Sequence, residues 1–159
     1  RPCRISNACI RRERELPGIG EATEKRALQA VVGILALTPV LVGAWSALRG
    51  PAFLRLDAPW PVDLDSHFRF LCGVFLVVGL AWYSCIPAIE RKGERFRLLA
   101  AMTFAGGLTR LHSLLLVGVP SAGHVAGLTV ELVIVPLLVA WQGRLARLSF
   151  ETASEKPTN

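Results

Sequence analysis

LLAAMTFAGGLTRLHSLLLVGVPSAGHVAGLTVELVIVPLLVAWQGRL, residues 98–145, decides the architecture of this chain. Its 48 residues are apolar except for Arg110, His112, His124, Glu131 and Arg144. As one helix they would run about 72 Å, more than twice the hydrocarbon thickness of a bilayer. Gly118-Val119-Pro120-Ser121-Ala122-Gly123 supplies a turn that divides them. Two crossings follow, near 96–117 and near 124–145. A single last crossing over Leu111–Val130 would put Pro120 and its flanking glycines mid-membrane, and is disfavoured.

Upstream, Ala27–Leu48 is 22 residues without a charge, long enough to span and too long for a signal-peptide core. Phe70–Ile89 is a second uncharged run of 20 residues, entered near residue 68. The expected fold is therefore all-α, an integral membrane four-helix bundle with spans near 27–48, 68–89, 96–117 and 124–145. A hydrophobic fraction of 52% and a mean hydropathy of +0.46 fit that class and not a soluble domain of 159 residues.

The membrane domain is expected over residues 25–147, with disordered tails at 1–24 and 148–159. The first tail is polar, Arg-rich and lacks an initiator Met; it is either cytoplasmic or encoded upstream of the natural start, the second being favoured.

The net charge of +6 does not point to nucleic acid, because the basic residues flank apolar runs and no aromatic residues interleave with them. They set orientation instead. The N-terminal segment carries seven Lys and Arg, the Glu90–Arg97 loop four and the C-terminal segment three. The Arg49–Arg69 segment carries three and the Gly118–Gly123 turn none, which places both termini in the cytoplasm of a multi-pass protein of the cell (inner) membrane. All four Trp fall at the expected interfaces, Trp45 and Trp60 outside, Trp82 and Trp141 inside. Pro39 and Pro136 interrupt the first and fourth spans and predict bends there.

Two ionisable residues lie within the apolar runs. Arg110 comes seven residues before Val117 on the outward third span, and Glu131 seven after His124 on the inward fourth. Both then sit about 10 Å below the outer boundary, a matched depth that favours a direct ion pair. Arg110 shares a helical stripe with Thr103, Gly106, Gly107 and Ser113, and Glu131 shares one with Gly123 and Gly127. Small residues on both stripes predict helix–helix packing.

At the entry of the second span, Asp65 and Arg69 share a face, and Asp63 or Asp65 is a natural N-cap. Asp65, His67 and Arg69 are expected above the pair, so the candidate polar site is Asp65, His67, Arg69, Arg110 and Glu131. His112 faces away from Arg110. The apolar loop Arg49–Pro61 is expected to lie on the membrane surface, where it would anchor the chain or cover the polar centre.

Catalytic motifs are missing: no H-E-x-x-H, G-x-S-x-G, P-loop or dinucleotide fingerprint. Asp65-Ser66-His67 are consecutive and diverge on a helix, so they do not make a triad. The four cysteines show no C-x-x-C and no zinc spacing with His, and Cys72 and Cys85 are too far apart along one helix to bridge. No metal and no cofactor is expected.

The Arg–Glu pair is read either as a fixture of the helix arrangement or as part of an outward-facing site for an anion, a proton or a lipid headgroup. The leading expectation is a non-enzymatic accessory or small-ligand-binding membrane protein. Its partners would be the lipid bilayer and another membrane protein or a second copy of the chain. The alternative is a redox-associated or transport component, with His67, Arg69, Arg110 and Glu131 contacting a quinone, a proton or an anion.

Three segments together, Asp65-Ser66-His67-Phe68-Arg69-Phe70-Leu71, Gly106-Gly107-Leu108-Thr109-Arg110-Leu111 and Glu131-Leu132-Val133-Ile134-Val135-Pro136, resemble the small bacterial membrane proteins grouped as domain of unknown function 4345. The resemblance covers about Lys25–Arg147 and implies four membrane helices, with no activity attached. A looser similarity of outline, carried by no particular residue, extends to four-helix membrane families of the DoxX type, some of them tied to redox chemistry.

Overall fold

A computed structural model describes the backbone of residues 7–154 and the side chains of residues 20–151. Among these residues there are helices and no strands. Helix α1 (Asn7–Arg49) is followed by a 3-10 turn (Gly50–Leu54), α2 (Val62–Cys85) and α3 (Gly93–Val117). The last crossing comes in three pieces: α4 (Ala122–Thr129), a π turn (Val130–Ile134) and α5 (Val135–Ser154). Four segments are long and apolar enough to cross a membrane: Gly20–Leu54, Val62–Cys85, Gly93–Val117 and Ala122–Glu151. The chain is thus a multi-pass membrane protein by the length and composition of its helices. Cys72 and Cys85 are both free.

The helix ends differ from the expected ones for local reasons. Both terminal helices extend past the apolar runs, α1 back to Asn7 and α5 on to Ser154, through much of what was expected to be tail. Their polar turns contact each other there. The Ser149 hydroxyl donates to Glu21, and Arg144 stands 3.7 Å from Glu24. Helix α2 starts at Val62, directly after Pro61, whose fixed φ suits the residue preceding a helix. Pro61 is the N-cap and makes no side-chain cap bond, so neither Asp63 nor Asp65 caps this helix. Both instead lie in its first turn, where a carboxylate is favoured by the helix dipole.

The π turn has its cause in the sequence. Pro136 has no N–H to give the carbonyl of Leu132, and its ring crowds that carbonyl. Widening the preceding turn relieves the crowding, so the bend expected at Pro136 takes the form of a π turn across Glu131. Pro39 in α1 is accommodated differently. A Cβ on Gly79 would stand 2.8 Å from Val40 Cγ2 and 3.1 Å from Pro39 Cγ, so the missing side chain makes room for the proline turn. Gly43 does the same in the other direction, against the backbone of Leu76 and Cys72. Between them these two glycines make α1–α2 the most extensive helix pair of the bundle.

The hydrophobic core is one-sided. Leu28, Val32, Cys85, Ile89, Phe96, Leu99, Leu138 and Leu145 are buried together toward the end that carries the two termini. Trp82 belongs to this core and is not an interface anchor. Its ring meets Phe96 edge-on at 4.8 Å, and its indole N–H donates to Thr103 Oγ1 at 3.4 Å. Two glutamines tie down the α2–α3 connection: Gln29 Nε2 donates to the Ile86 carbonyl at 2.8 Å and Gln142 Nε2 to the Ile89 carbonyl at 3.0 Å. Toward the opposite end the packing fades on α3 and α4, where no residue between Leu108 and Val130 is buried, while Ser46, Gly50 and Pro51 stay buried on the α1–α2 side.

Candidate functional site

The last buried layer before the packing opens is Gly107 on α3 and Glu131 on the π turn. Arg110, one turn beyond Gly107, reaches across and grips the carboxylate with two bonds: Nε to Oε2 at 3.1 Å and Nη2 to Oε1 at 3.2 Å. The fork matches the planar guanidinium to the planar carboxylate, the strongest geometry such a pair adopts. Glu131 is buried and Arg110 about one-third exposed. Among the described residues, Nη1 of Arg110 has no acceptor.

Above the pair α3 and α4 part, leaving a cleft of about 350 Å³. Arg110, Ser113, Leu114 and Val117 line it from α3, the turn residues Gly118, Val119 and Pro120 close its top, and His124 stands on the α4 side. His124 Nδ1 is 2.9 Å from Ser121 Oγ, which leaves Nε2 without a partner. The glycine stripe behaves differently from its expectation. Gly107 is a true close approach, since a Cβ there would fall 2.9 Å from Glu131 Cβ. Gly106, Gly123 and Gly127 have nothing within 4 Å of the same position, so among the described residues they make no close approach to another helix. The divergence of α3 and α4 explains the two α4 glycines.

Asp65, His67 and Arg69 do not join this site. Arg69 turns to the end of α1, where Nη1 donates to the carbonyls of Ala47 at 2.6 Å and Leu48 at 3.0 Å, while Nε holds Asp65 Oδ2 at 2.8 Å. The physical reason is that the last carbonyls of a helix lack partners of their own, and a guanidinium supplies them. Trp60 Nε1 donates to the other oxygen of Asp65 at 3.2 Å, so the apolar loop folds onto this second pair and not onto the cleft. Gly50 sits beneath with φ of 61°, and a Cβ there would meet Arg69 Nη2 and Asp65 Oδ1 at 2.6 Å. His67 and His112 are exposed and, among the described residues, have no hydrogen-bond partner. One expected polar centre is therefore two: a clasp on the α1–α2 connection and the Arg110–Glu131 pair under a cleft.

The termini end has a cleft of its own, about 330 Å³, where Lys25 Nζ donates to Glu90 Oε1 at 3.0 Å beside Arg91 and Phe150. Burial pushes the Glu90 carboxyl up, but its own backbone N–H and the Lys25 ammonium, with Arg91 nearby, outweigh burial and hold it below the usual glutamate range. Its Oε2 is buried and unpaired. The acids and bases of this cleft largely satisfy one another. Among the described residues, no three His, Cys, Asp or Glu side chains converge to hold a metal ion.

The glutamines and the Gly43–Gly79 approach escaped the sequence reading. Gln29 and Gln142 each carry a signal that could have found them: an uncharged polar residue near the end of an apolar run. Gly43 and Gly79 sit in no G-x-x-x-G pattern and carry none.

The model of a protein family described as "Domain of unknown function (DUF4345)" matches residues 27–142, from the first turns of the first crossing to Gln142 in the last. No curated protein and no solved structure matches the chain.

Proposed function

The chain therefore belongs to the DUF4345 family, and from its cleft geometry we propose that it is a non-enzymatic protein of the inner membrane that binds a small polar ligand between α3 and α4. The distribution of Lys and Arg supports an arrangement with both termini in the cytoplasm and the cleft facing outward.

The observation that carries this reading is the division of labour on Arg110. Two of its nitrogens are spent on Glu131, which fixes the guanidinium and balances its charge. The third, Nη1, is unspent at a cleft large enough for a small molecule. A pair that served only to fix helix packing would need no space beside it, and small residues on the facing helix would let the two backbones close. Here the glycines that would permit closure, Gly123 and Gly127, meet nothing.

The test is a melting-temperature panel on purified protein in neutral detergent, using small carboxylates, phosphates and uncharged polyols. Oxygen-rich anions are expected to raise Tm in the native protein and to leave the R110Q/E131Q double variant unmoved. A panel in which no compound shifts Tm would overturn the ligand-binding reading.

A further inference from the structure

We infer that the ligand of the α3–α4 cleft is the phosphate of a membrane phospholipid, drawn in sideways from the outer leaflet; this rests on the ligand-binding reading above. Three features of the cleft carry the inference.

The first is the kind of polar group on offer. Among the described residues, Arg110 Nη1, the Ser113 hydroxyl and His124 Nε2 are uncommitted, Nε2 being a donor where Nδ1 accepts from the Ser121 hydroxyl, and no carboxylate or side-chain amide lines the cleft. A ligand cation, such as the ammonium of an amino acid, would meet no carboxylate in this lining and would face the Arg110 guanidinium instead. A phosphodiester brings only acceptors: two unesterified oxygens and a single negative charge. Because Glu131 already balances Arg110, recognition falls to hydrogen bonds, which suits a singly charged group.

The second is the wall. Leu114, Val117, Val119 and Pro120, with Gly118, form the rest of the lining, and α3 continues outward with Leu115, Leu116 and Val117 between 71% and 85% exposed. In a bilayer that surface faces acyl chains. The cleft therefore opens from a polar floor onto an apolar flank, and its ligand is amphiphilic. A volume of about 350 Å³ takes a phosphate and glycerol backbone, and leaves the chains to lie along α3.

The third is depth. Arg110 is seven residues from the end of α3, about 10 Å along the axis, so the cleft spans the distance from upper hydrocarbon to headgroups. An arginine there reaches a phosphate without leaving its carboxylate partner.

The experiment is native mass spectrometry of the full chain, released from neutral detergent after incubation with one of three probes: phosphatidylglycerol, diacylglycerol of the same chain length, or inorganic phosphate. One phosphatidylglycerol is expected to be retained per chain, with diacylglycerol retained at least about tenfold less, the loss expected for one charge-assisted hydrogen bond. H124A and S113A alter exposed side chains and should fold; each is expected to weaken retention several-fold, and R110Q/E131Q to abolish it. Should the double variant fail to fold, the two single variants decide. Equal retention of diacylglycerol would overturn the inference, because the headgroup would be irrelevant. Inorganic phosphate held as tightly as phosphatidylglycerol would also overturn it, because the acyl chains would then contribute nothing, while leaving the ligand-binding reading intact. Retention of none of the probes, together with a flat melting panel, would remove both.

Discussion

Gly107 lies against Glu131 so closely that a methyl group on the glycine would stand 2.9 Å from the glutamate Cβ and 2.8 Å from Leu132 Cδ2. Neither neighbour can yield freely, since one is held by Arg110 and both belong to the π turn. Gly107→Ala is therefore expected to destabilise the fold by about 1–3 kcal/mol through overpacking. Its sequence neighbour is the control. Gly106 has open space at the same position, so Gly106→Ala should stabilise α3 by up to about 1 kcal/mol. Unfolding titrations in mixed micelles compare the two, and equal effects would contradict the close approach.

Removing one partner of the ion pair strands the other. Glu131→Gln is expected to cost about 3–5 kcal/mol, because the guanidinium then keeps its charge without a counter-charge. The exchange of Arg110→Glu with Glu131→Arg should recover most of that loss. Stability of the two singles and the exchanged double, read by the same titration, gives the coupling between the sites.

Arg69 is expected to matter through shape more than charge. Arg69→Lys keeps the cation but loses the fork that reaches Asp65 and two α1 carbonyls at once. The expected loss is about 1–3 kcal/mol, with faster proteolysis in the 50–61 connection. Gly50→Ala should do similar damage, since φ is 61° there and the added carbon would collide with the same Arg69–Asp65 clasp.

Acid should loosen the termini end. The Glu90 carboxyl is held below its ordinary value in the folded chain, so folding favours its charged form. The resulting stabilisation is fully present above the ordinary glutamate value of about 4.3 and is lost as pH falls through the lower folded value. Hydrogen exchange at Ile86–Arg91 should rise over that acid window in the native protein. Lys25→Met should already be raised at neutral pH and change less.

Orientation has a direct readout. A cysteine at Val119, 80% exposed in the far-end turn, should react with a membrane-impermeant maleimide in intact cells. A cysteine at Arg91, in the α2–α3 connection, should react only after permeabilisation. The reverse pattern would invert the proposed topology.

Hydropathy alone gave the four crossings, because a bilayer demands a minimum apolar length and Pro120 with its glycines breaks the longest run. The Arg110–Glu131 pair was legible for the same reason: two charges at equal depth on consecutive helices have few other places to go. The fate of Arg69 was not legible. Its competing acceptors, the last carbonyls of α1, exist wherever that helix happens to end, and residue type does not mark them. Trp82 misled because Trp suits both an interface and a core, and only the position of Phe96 and Thr103 across the gap decides between them. The Gly123–Gly127 stripe was extrapolated from a uniform helical pitch along two helices assumed to stay together. The helices separate above Gly107, and periodicity carries no information on that.

The Arg110–Glu131 pair also bears on how the chain enters its membrane. Helix α3 is the least apolar of the four crossings and carries an arginine, a residue that opposes partition into lipid by about 2.5–3.5 kcal/mol near the middle of a lone helix. Glu131 imposes a comparable burden on the following segment. Neither helix is well suited to leave the insertion machinery alone, whereas the two together present lipid with a neutralised, internally bonded hairpin. The short turn Gly118–Ser121 keeps them within reach during synthesis. Integration of α3 together with α4 as one unit is therefore the expected order, and an inserted spacer at Val119 is expected to stall integration of α3 while leaving the first two crossings in place.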